Sequence, residues 1–170
     1  MSENGLMAIS QTAIEFRIML PDIAREIADE WKYSPPYDFY NADADPGDYR
    51  EFIDPTFWPE YFYGAYVRGE LIGFFQVDVR GTFCEISLGM RPDLTGNGLG
   101  RAFVDACIGQ TVADLGSERT LSLSVASFNK RAIRVYEAAG FVKKRSFIQA
   151  TNGGSYPFVE MNTETHEEQK

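Results

Sequence analysis

Three glycines on alternate positions, Gly96, Gly98 and Gly100, stand between a strand-like run, Phe83–Met90, and an amphipathic run. That second run reads as a helix from Asn97 or Gly98 to about Leu115, with Leu99, Phe103, Ala106, Cys107 and Ile108 on one face. Glycine admits positive φ and lets backbone approach a ligand closely. N–H groups at the helix start then point outward, backed by the positive end of the helix dipole. Thr95-Gly96-Asn97-Gly98-Leu99-Gly100-Arg101 therefore reads as an anion cradle suited to a pyrophosphate, with Arg101 adding charge. A tight turn with close helix packing is the other reading. Two phosphate motifs fail on spacing: no Lys follows as in a P-loop, and a dinucleotide fingerprint needs its third glycine one residue later.

Around this junction the pattern alternates between strand and helix. Thr12–Ile18 alternates as a first strand. Pro21 opens a helix with Ile23, Ile27 and Trp31 on its buried face, ended by Ser34-Pro35-Pro36. Tyr61–Val67, Leu71–Val79 and Phe83–Met90 form an antiparallel meander turned at Gly69 and Gly81. Leu121–Val125 is a short buried strand and Asn129–Ala139 a helix. Phe141–Ala150 and Tyr156–Asn162 make a hairpin about Asn152-Gly153-Gly154. The order β-α-α-β-β-β-α-β-α-β-β predicts an α/β (α+β) fold, a mixed sheet with helices on its faces. Residues 33–60 mix Tyr33, Tyr37, Phe39, Tyr40, Tyr49, Phe52, Phe57 and Trp58 with Asp38, Asp43, Asp45, Asp48, Glu51, Asp54 and Glu60. Pro46–Ile53 reads as a short helix and the rest as loop. The segment covers a core edge or walls an acceptor pocket.

Composition narrows the function. The 170 residues fit one domain that needs no disulfide or metal staple. With 25 acidic against 16 basic side chains and net charge -9, the chain repels nucleic acid and anionic membranes and favours a cationic partner, or is merely kept soluble. Cys84, Cys107 and His166 cannot make a four-ligand zinc site, and His166 in a polar tail is poorly placed for a triad. No apolar run of ~18 residues and no leader-like start occur, which predicts a cytoplasmic protein.

The second informative stretch is Asn129-x-x-Ala132-Ile133-x-x-Tyr136-Glu137-x-x-Gly140-Phe141. Ala132, Ile133, Tyr136 and Ala139 share a helical face, and Asn129 is a good N-cap. Together with the strand, glycine turn and helix of 86–110, this motif resembles the GNAT superfamily of acetyl-CoA-dependent N-acetyltransferases. The resemblance covers about residues 12–162 as one N-acetyltransferase domain, leaving 1–11 and 163–170 as flexible termini. It implies a mostly antiparallel sheet of about seven strands flanked by about four helices. It implies acetyl-CoA as co-substrate and no metal. Leu88, Gly89 and Met90, on a strand splayed from its neighbour, would offer backbone groups to the pantetheine arm. Thr95, Gly96, Asn97, Gly98, Leu99, Gly100 and Arg101 would bind the pyrophosphate. Asn129 would contact the cofactor and Tyr136 would face the thiol sulfur. Thr95 departs from the Arg or Gln usual there, which removes a long donor near the phosphates.

Amide formation from an amine and a thioester needs a neutral amine, a polarised carbonyl and a stabilised leaving thiolate. A tyrosine hydroxyl, with pKa about 10, is protonated at neutral pH, so Tyr136 can act as general acid. Glu85, on the strand leading to Met90, is the candidate base through water, or else a solvated strand residue. A non-catalytic acyl-CoA-binding regulatory module is the alternative function. The acceptor is a small cationic amine such as a polyamine or aminoglycoside, or a protein N-terminus or lysine. An exposed aromatic patch would point to a homodimer.

Overall fold

A computed structural model describes residues 13–163. Thr12, His166 and the tails expected to be flexible lie outside the described residues, apart from Thr163. The strands are β1 (Glu15–Ile18), β2 (Tyr61–Val67), β3 (Glu70–Arg80), β4 (Phe83–Met90), β5 (Thr120–Ala126), β6 (Phe141–Thr151) and β7 (Gly154–Thr163). The helices are α1 (Pro21–Glu30), α2 (Pro46–Ile53), α3 (Gly100–Leu115) and α4 (Lys130–Ala138). Among the described residues the seven strands form one sheet in the order β1-β2-β3-β4-β5-β7-β6. β4 and β5 run parallel and the other neighbours antiparallel. This is the mixed sheet that the element order predicts, and its seven strands and four helices agree with what the resemblance implies.

Three hairpins fix the register. Arg68 and Gly69 both take positive φ (51° and 77°) and close β2 onto β3 in two residues, with Val67 opposite Glu70. Asn152 (φ 52°) and Gly153 (φ 75°) do the same for β6 and β7. Alternation along β3 then sends neighbouring rings to opposite faces. Phe75 enters the core beneath α3 and α4, with Phe103, Cys107, Ile133 and Phe141. Phe74 joins Trp31, Ile27, Phe62 and Phe52 beneath α1 and α2.

Several boundaries differ from expectation: β1 starts at Glu15 instead of Thr12 and β7 at Gly154 instead of Tyr156. α3 begins at Gly100, not at Asn97 or Gly98, because Gly96 and Gly98 hold φ of 75° and 76°, outside the helical region. α1 ends at Glu30, before Ser34-Pro35-Pro36 is reached, with Trp31 as its C-cap. Residues 37–57 are also more ordered than a loop: three single 3₁₀ turns flank α2.

Candidate active site

The sheet opens where β4 and β5 part. Phe83, Cys84 and Glu85 pair with Thr120, Leu121 and Ser122, and no further residues of the two strands share a register. Beyond that point β4 follows β3 while β5 follows β7. Arg91 N–H donates to the Ile72 carbonyl at 2.8 Å, on the β3 side. An antiparallel ladder alternates its bonds, so Leu88 and Met90 turn their N–H groups into the opening. Gly89 turns its own toward β3. A Cβ on Gly89 would lie 2.4 Å from Phe74 Cε1, so glycine there makes room for the cross-strand ring. On the opposite bank, Ser127 N–H donates to Pro157 at 3.0 Å, which leaves Ser124 and Ala126 N–H facing the opening.

A cleft of about 760 Å³ occupies this opening and is lined from both faces of the sheet. On one side stand Phe103, Ala132, Val135 and Tyr136; on the other Trp31, Tyr37, Tyr40, Phe52 and Phe74. Charges within it are segregated. Arg101 and Arg131 line it by the glycine turn, and Asp48 and Glu85 line it on the α1–α2 side.

The glycine turn has two functions in one run. Gly96 and Gly98 carry the positive φ of the turn. Gly100 is needed for packing, since a Cβ there would meet Val135 Cγ2 at 3.3 Å. Leu99 leads into α3 with no side chain capping the helix, so the first N–H groups remain available to an anion. The Thr95 hydroxyl donates to the Pro92 carbonyl at 2.7 Å. Asn97 braces the carbonyls of Asp93 and Thr95 at 3.3 and 3.2 Å. These two side chains hold the turn rather than reach outward. Arg101 Nε is paired with Asp105 at 2.9 Å.

Arg131 is the cation that sequence reasoning missed. Its Nη1 lies 3.1 Å from where a Gly96 Cβ would stand, and its guanidinium stacks 4.2 Å from the Tyr37 ring centroid. No carboxylate pairs with it among the described residues. Its place in the Asn129-x-x-Ala132 spacing was the available signal; only the fold sets it beside Gly96. These groups fit a pyrophosphate: open helix N–H groups, a glycine turn and a guanidinium without an acid.

Asn129 caps α4 by accepting from Ala132 N–H at 3.1 Å. Its amide donates to the Tyr40 hydroxyl at 3.3 Å. Tyr136 packs its ring edge against Phe141, with centroids 6.0 Å apart, and lines the cleft. Burial pushes its hydroxyl above the ordinary tyrosine range, which keeps it protonated. No described residue hydrogen-bonds it.

Glu85 also lines the cleft, but at its closed end, where β4 still pairs with β5. It contacts Arg80 Nε at 3.6 Å and is about half exposed. Five residues of strand put it roughly 16 Å from Met90. Segment 33–60 both covers a core edge and walls the cleft. Trp58 and Phe52 cover Phe62, while Tyr33, Tyr37, Phe39, Tyr40, Asp48 and Phe52 wall the cleft. Its acids divide likewise: Asp45 caps α2, Asp54 caps the next turn and Asp43 pairs with Lys32 at 2.9 Å.

A family model described as the acetyltransferase (GNAT) family matches residues 21–141, and the chain belongs to that family. It is 40% identical over 92 residues to a mycothiol acetyltransferase of Streptomyces coelicolor, a match covering 52% of this chain and 29% of that protein. The chain thus spans under a third of the length of that curated relative. A spermidine N-acetyltransferase chimera from Vibrio cholerae and hSSAT superposes with TM-score 0.66 at 19% identity, covering 89% of this chain and 95% of that one. An aminoglycoside acetyltransferase in complex with coenzyme A gives 0.68 at 23%, covering 91% and 95%. Among the described residues no helix is long and apolar enough to cross a membrane.

Proposed function

We propose that this chain transfers the acetyl group of acetyl-CoA to the amine of a small cationic acceptor by direct attack, with Tyr136 as general acid. The observation that carries this reading is the polarity of the cleft: cations and open N–H groups at the glycine turn, carboxylates and aromatic rings on the other face. Gly96, Gly98, the start of α3 and Arg131 would hold the phosphates. Leu88 N–H and Met90 N–H would orient the pantetheine arm and the thioester carbonyl. Acetyl-CoA supplies the activated acyl group.

The chain's own residues then carry the protons. Asp48 and Glu85 draw a cationic amine toward the cleft, and the rings of Trp31, Phe52 and Phe74 shield it from water. As the amine nitrogen bonds the carbonyl carbon and the C–S bond breaks, Tyr136 Oη gives its proton to sulfur. The attacking nitrogen, an ammonium as it arrives, loses one proton to solvent before it bonds the carbonyl carbon and a second to water as the amide forms; Glu85 is the carboxylate that receives that second proton through a water chain, and Tyr136 recovers its proton from solvent. Spermidine and aminoglycoside acetyltransferases among the similar folds support a cationic acceptor of this size. A protein N-terminus or lysine is the competing acceptor.

The test is thiol release from acetyl-CoA against a panel of polyamines, aminoglycosides and peptides, with product masses read in parallel. Acetylated small cations support the reading. Acetylated peptides alone overturn the acceptor class. CoA binding without thiol release from any amine leaves a non-catalytic acyl-CoA-binding module.

A further inference from the structure

Tyr40 enters the cleft from the 3₁₀ turn Tyr37–Tyr40, far in sequence from every motif above. Its ring is fixed among aromatics, edge-on to Phe39 at 5.3 Å and tilted against Phe128 at 6.0 Å. Its hydroxyl oxygen accepts two hydrogen bonds. One comes from Ala126 N–H at 3.2 Å, a backbone donor released by the parting of β4 from β5. The other comes from Asn129 Nδ2 at 3.3 Å. The direction of that second bond is fixed, because Asn129 Oδ1 is already engaged by Ala132 N–H.

A phenol oxygen accepts two hydrogen bonds and donates one. With both acceptor positions filled, the remaining O–H must be offered elsewhere. No described residue accepts it. Tyr40 lines the same cleft as Tyr136, and no hydrogen bond joins the two. Two phenols whose O–H groups no described residue accepts thus line one cleft.

We infer that Tyr40 is a second hydrogen-bond donor to the leaving sulfur, acting beside Tyr136. This rests on the acetyltransferase reading above. Tyr40 transfers no proton: it donates to the sulfur as the C–S electron pair settles there, while Tyr136 supplies the proton. Asn129 and Ala126 orient Tyr40 and make its O–H a stronger donor, since hydrogen bonds in a chain polarise one another. Charge-assisted bonds are the stronger kind, so the effect concentrates on the thiolate.

The test uses free CoA and acetyl-CoA with wild type, Tyr40→Phe, Tyr136→Phe and the double variant. Ultraviolet absorbance of the thiolate across a pH titration gives the pKa of bound CoA. Tyr40→Phe should raise that pKa by about one unit and lower kcat roughly ten- to hundredfold, with little change in the KM for acetyl-CoA. The double variant should lose less than the product of the single losses, because both groups act on one atom. A ring-fluorinated Tyr40 keeps both accepted bonds and is a stronger donor, so it should retain kcat and lower the bound-thiol pKa.

An unchanged thiol pKa and kcat in a folded Tyr40→Phe protein, with only the melting temperature lowered, would make Tyr40 a brace for Ala126 and overturn the inference. Loss of kcat in the fluorinated protein would overturn it too. A wild type that fails to bind CoA overturns the acetyltransferase reading itself, and the two failures are therefore distinct.

Discussion

The Tyr33 hydroxyl donates to the Met90 carbonyl at 2.7 Å, tying the aromatic segment to the free end of β4. Tyr33 N–H in turn donates to Asn41 Oδ1 at 2.8 Å. One residue thus fixes the aromatic wall of the cleft to the strand whose backbone faces the opening. Burial raises the Tyr33 hydroxyl above its ordinary range, which keeps the donor protonated. Tyr33→Phe should destabilise the fold by about 1–2 kcal/mol, the usual cost of losing one partly buried hydrogen bond. Because it frees the aromatic segment while Met90 stays paired with Gly73 on β3, acceptor KM should rise several-fold while CoA affinity measured by calorimetry holds. An unaltered KM would show that the tether serves stability alone.

Gly98 and Gly100 should respond differently to side chains. Gly98 has open space around its Cβ direction but φ of 76°. Gly98→Val should strain the turn and weaken CoA binding, with a modest change in melting temperature. Gly100→Val crowds Val135 between α3 and α4 and should cost about 1–3 kcal/mol of stability, as overpacking does. Calorimetric titration with CoA beside thermal melts separates the two. Equal losses of affinity in both would mean that the whole run acts as a ligand cradle.

How far the sequence reaches is clear from particular residues. The strand order and hairpins were legible because Arg68-Gly69 and Asn152-Gly153 announce two-residue turns and the apolar period switches between them. That Asn129 caps a helix carrying Tyr136 was legible from one spaced motif. Arg131 was not, because nothing in Lys130-Arg131 says which side of α4 meets Gly96. Asp48 was hidden among similar carboxylates: local capping by Asp45 and Asp54 and pairing of Asp43 with Lys32 emerge only from contacts. Gly89 looked like a ligand position, and its local reason is the Phe74 ring across the ladder.

Asp48 should dominate acceptor attraction among the acids of residues 33–60. Burial, then Asp45 and Glu51, raise its carboxyl above the ordinary value, so neutralising it removes a repulsion as well as an attraction. Asp48→Asn should raise the KM of a polyamine acceptor several-fold and flatten its salt dependence, because exposed charges are screened within about 8 Å at physiological ionic strength. Asp43→Asn should change neither by much. A salt slope the same as wild type in Asp48→Asn would leave Asp48 as a solubilising charge.

Tyr63 predicts an alkaline limit. Its hydroxyl donates to Asp114 at 2.5 Å, joining β2 to α3. Burial first, then that carboxylate, push it up to about 12. The folded protein holds the proton more tightly than the unfolded chain, whose tyrosines titrate near 10. The contribution is therefore complete below about pH 10 and is lost as pH rises toward 12. Melting curves between those values should fall less steeply in Tyr63→Phe than in wild type. Parallel curves would place the alkaline loss elsewhere.

Tyr136→Phe is the sharpest test of the chemistry. Phenylalanine keeps the ring, its edge-on packing with Phe141 and its place beneath the cleft. It deletes one hydroxyl that no described residue hydrogen-bonds, so neither the melting temperature nor CoA affinity should change much. If proton donation to sulfur limits turnover, kcat should fall roughly 10²–10⁴-fold, the usual worth of a positioned acid. The loss should shrink at high pH, where thiol groups, with pKa about 8.5, leave readily as thiolate. Burial holds the Tyr136 proton well into that range, so the wild-type profile should stay flat where the variant recovers. A pH–rate profile of both proteins at saturating acetyl-CoA measures this. Equal rates throughout would make Tyr136 a packed aromatic, and a loss confined to CoA affinity would make it a contact instead of an acid.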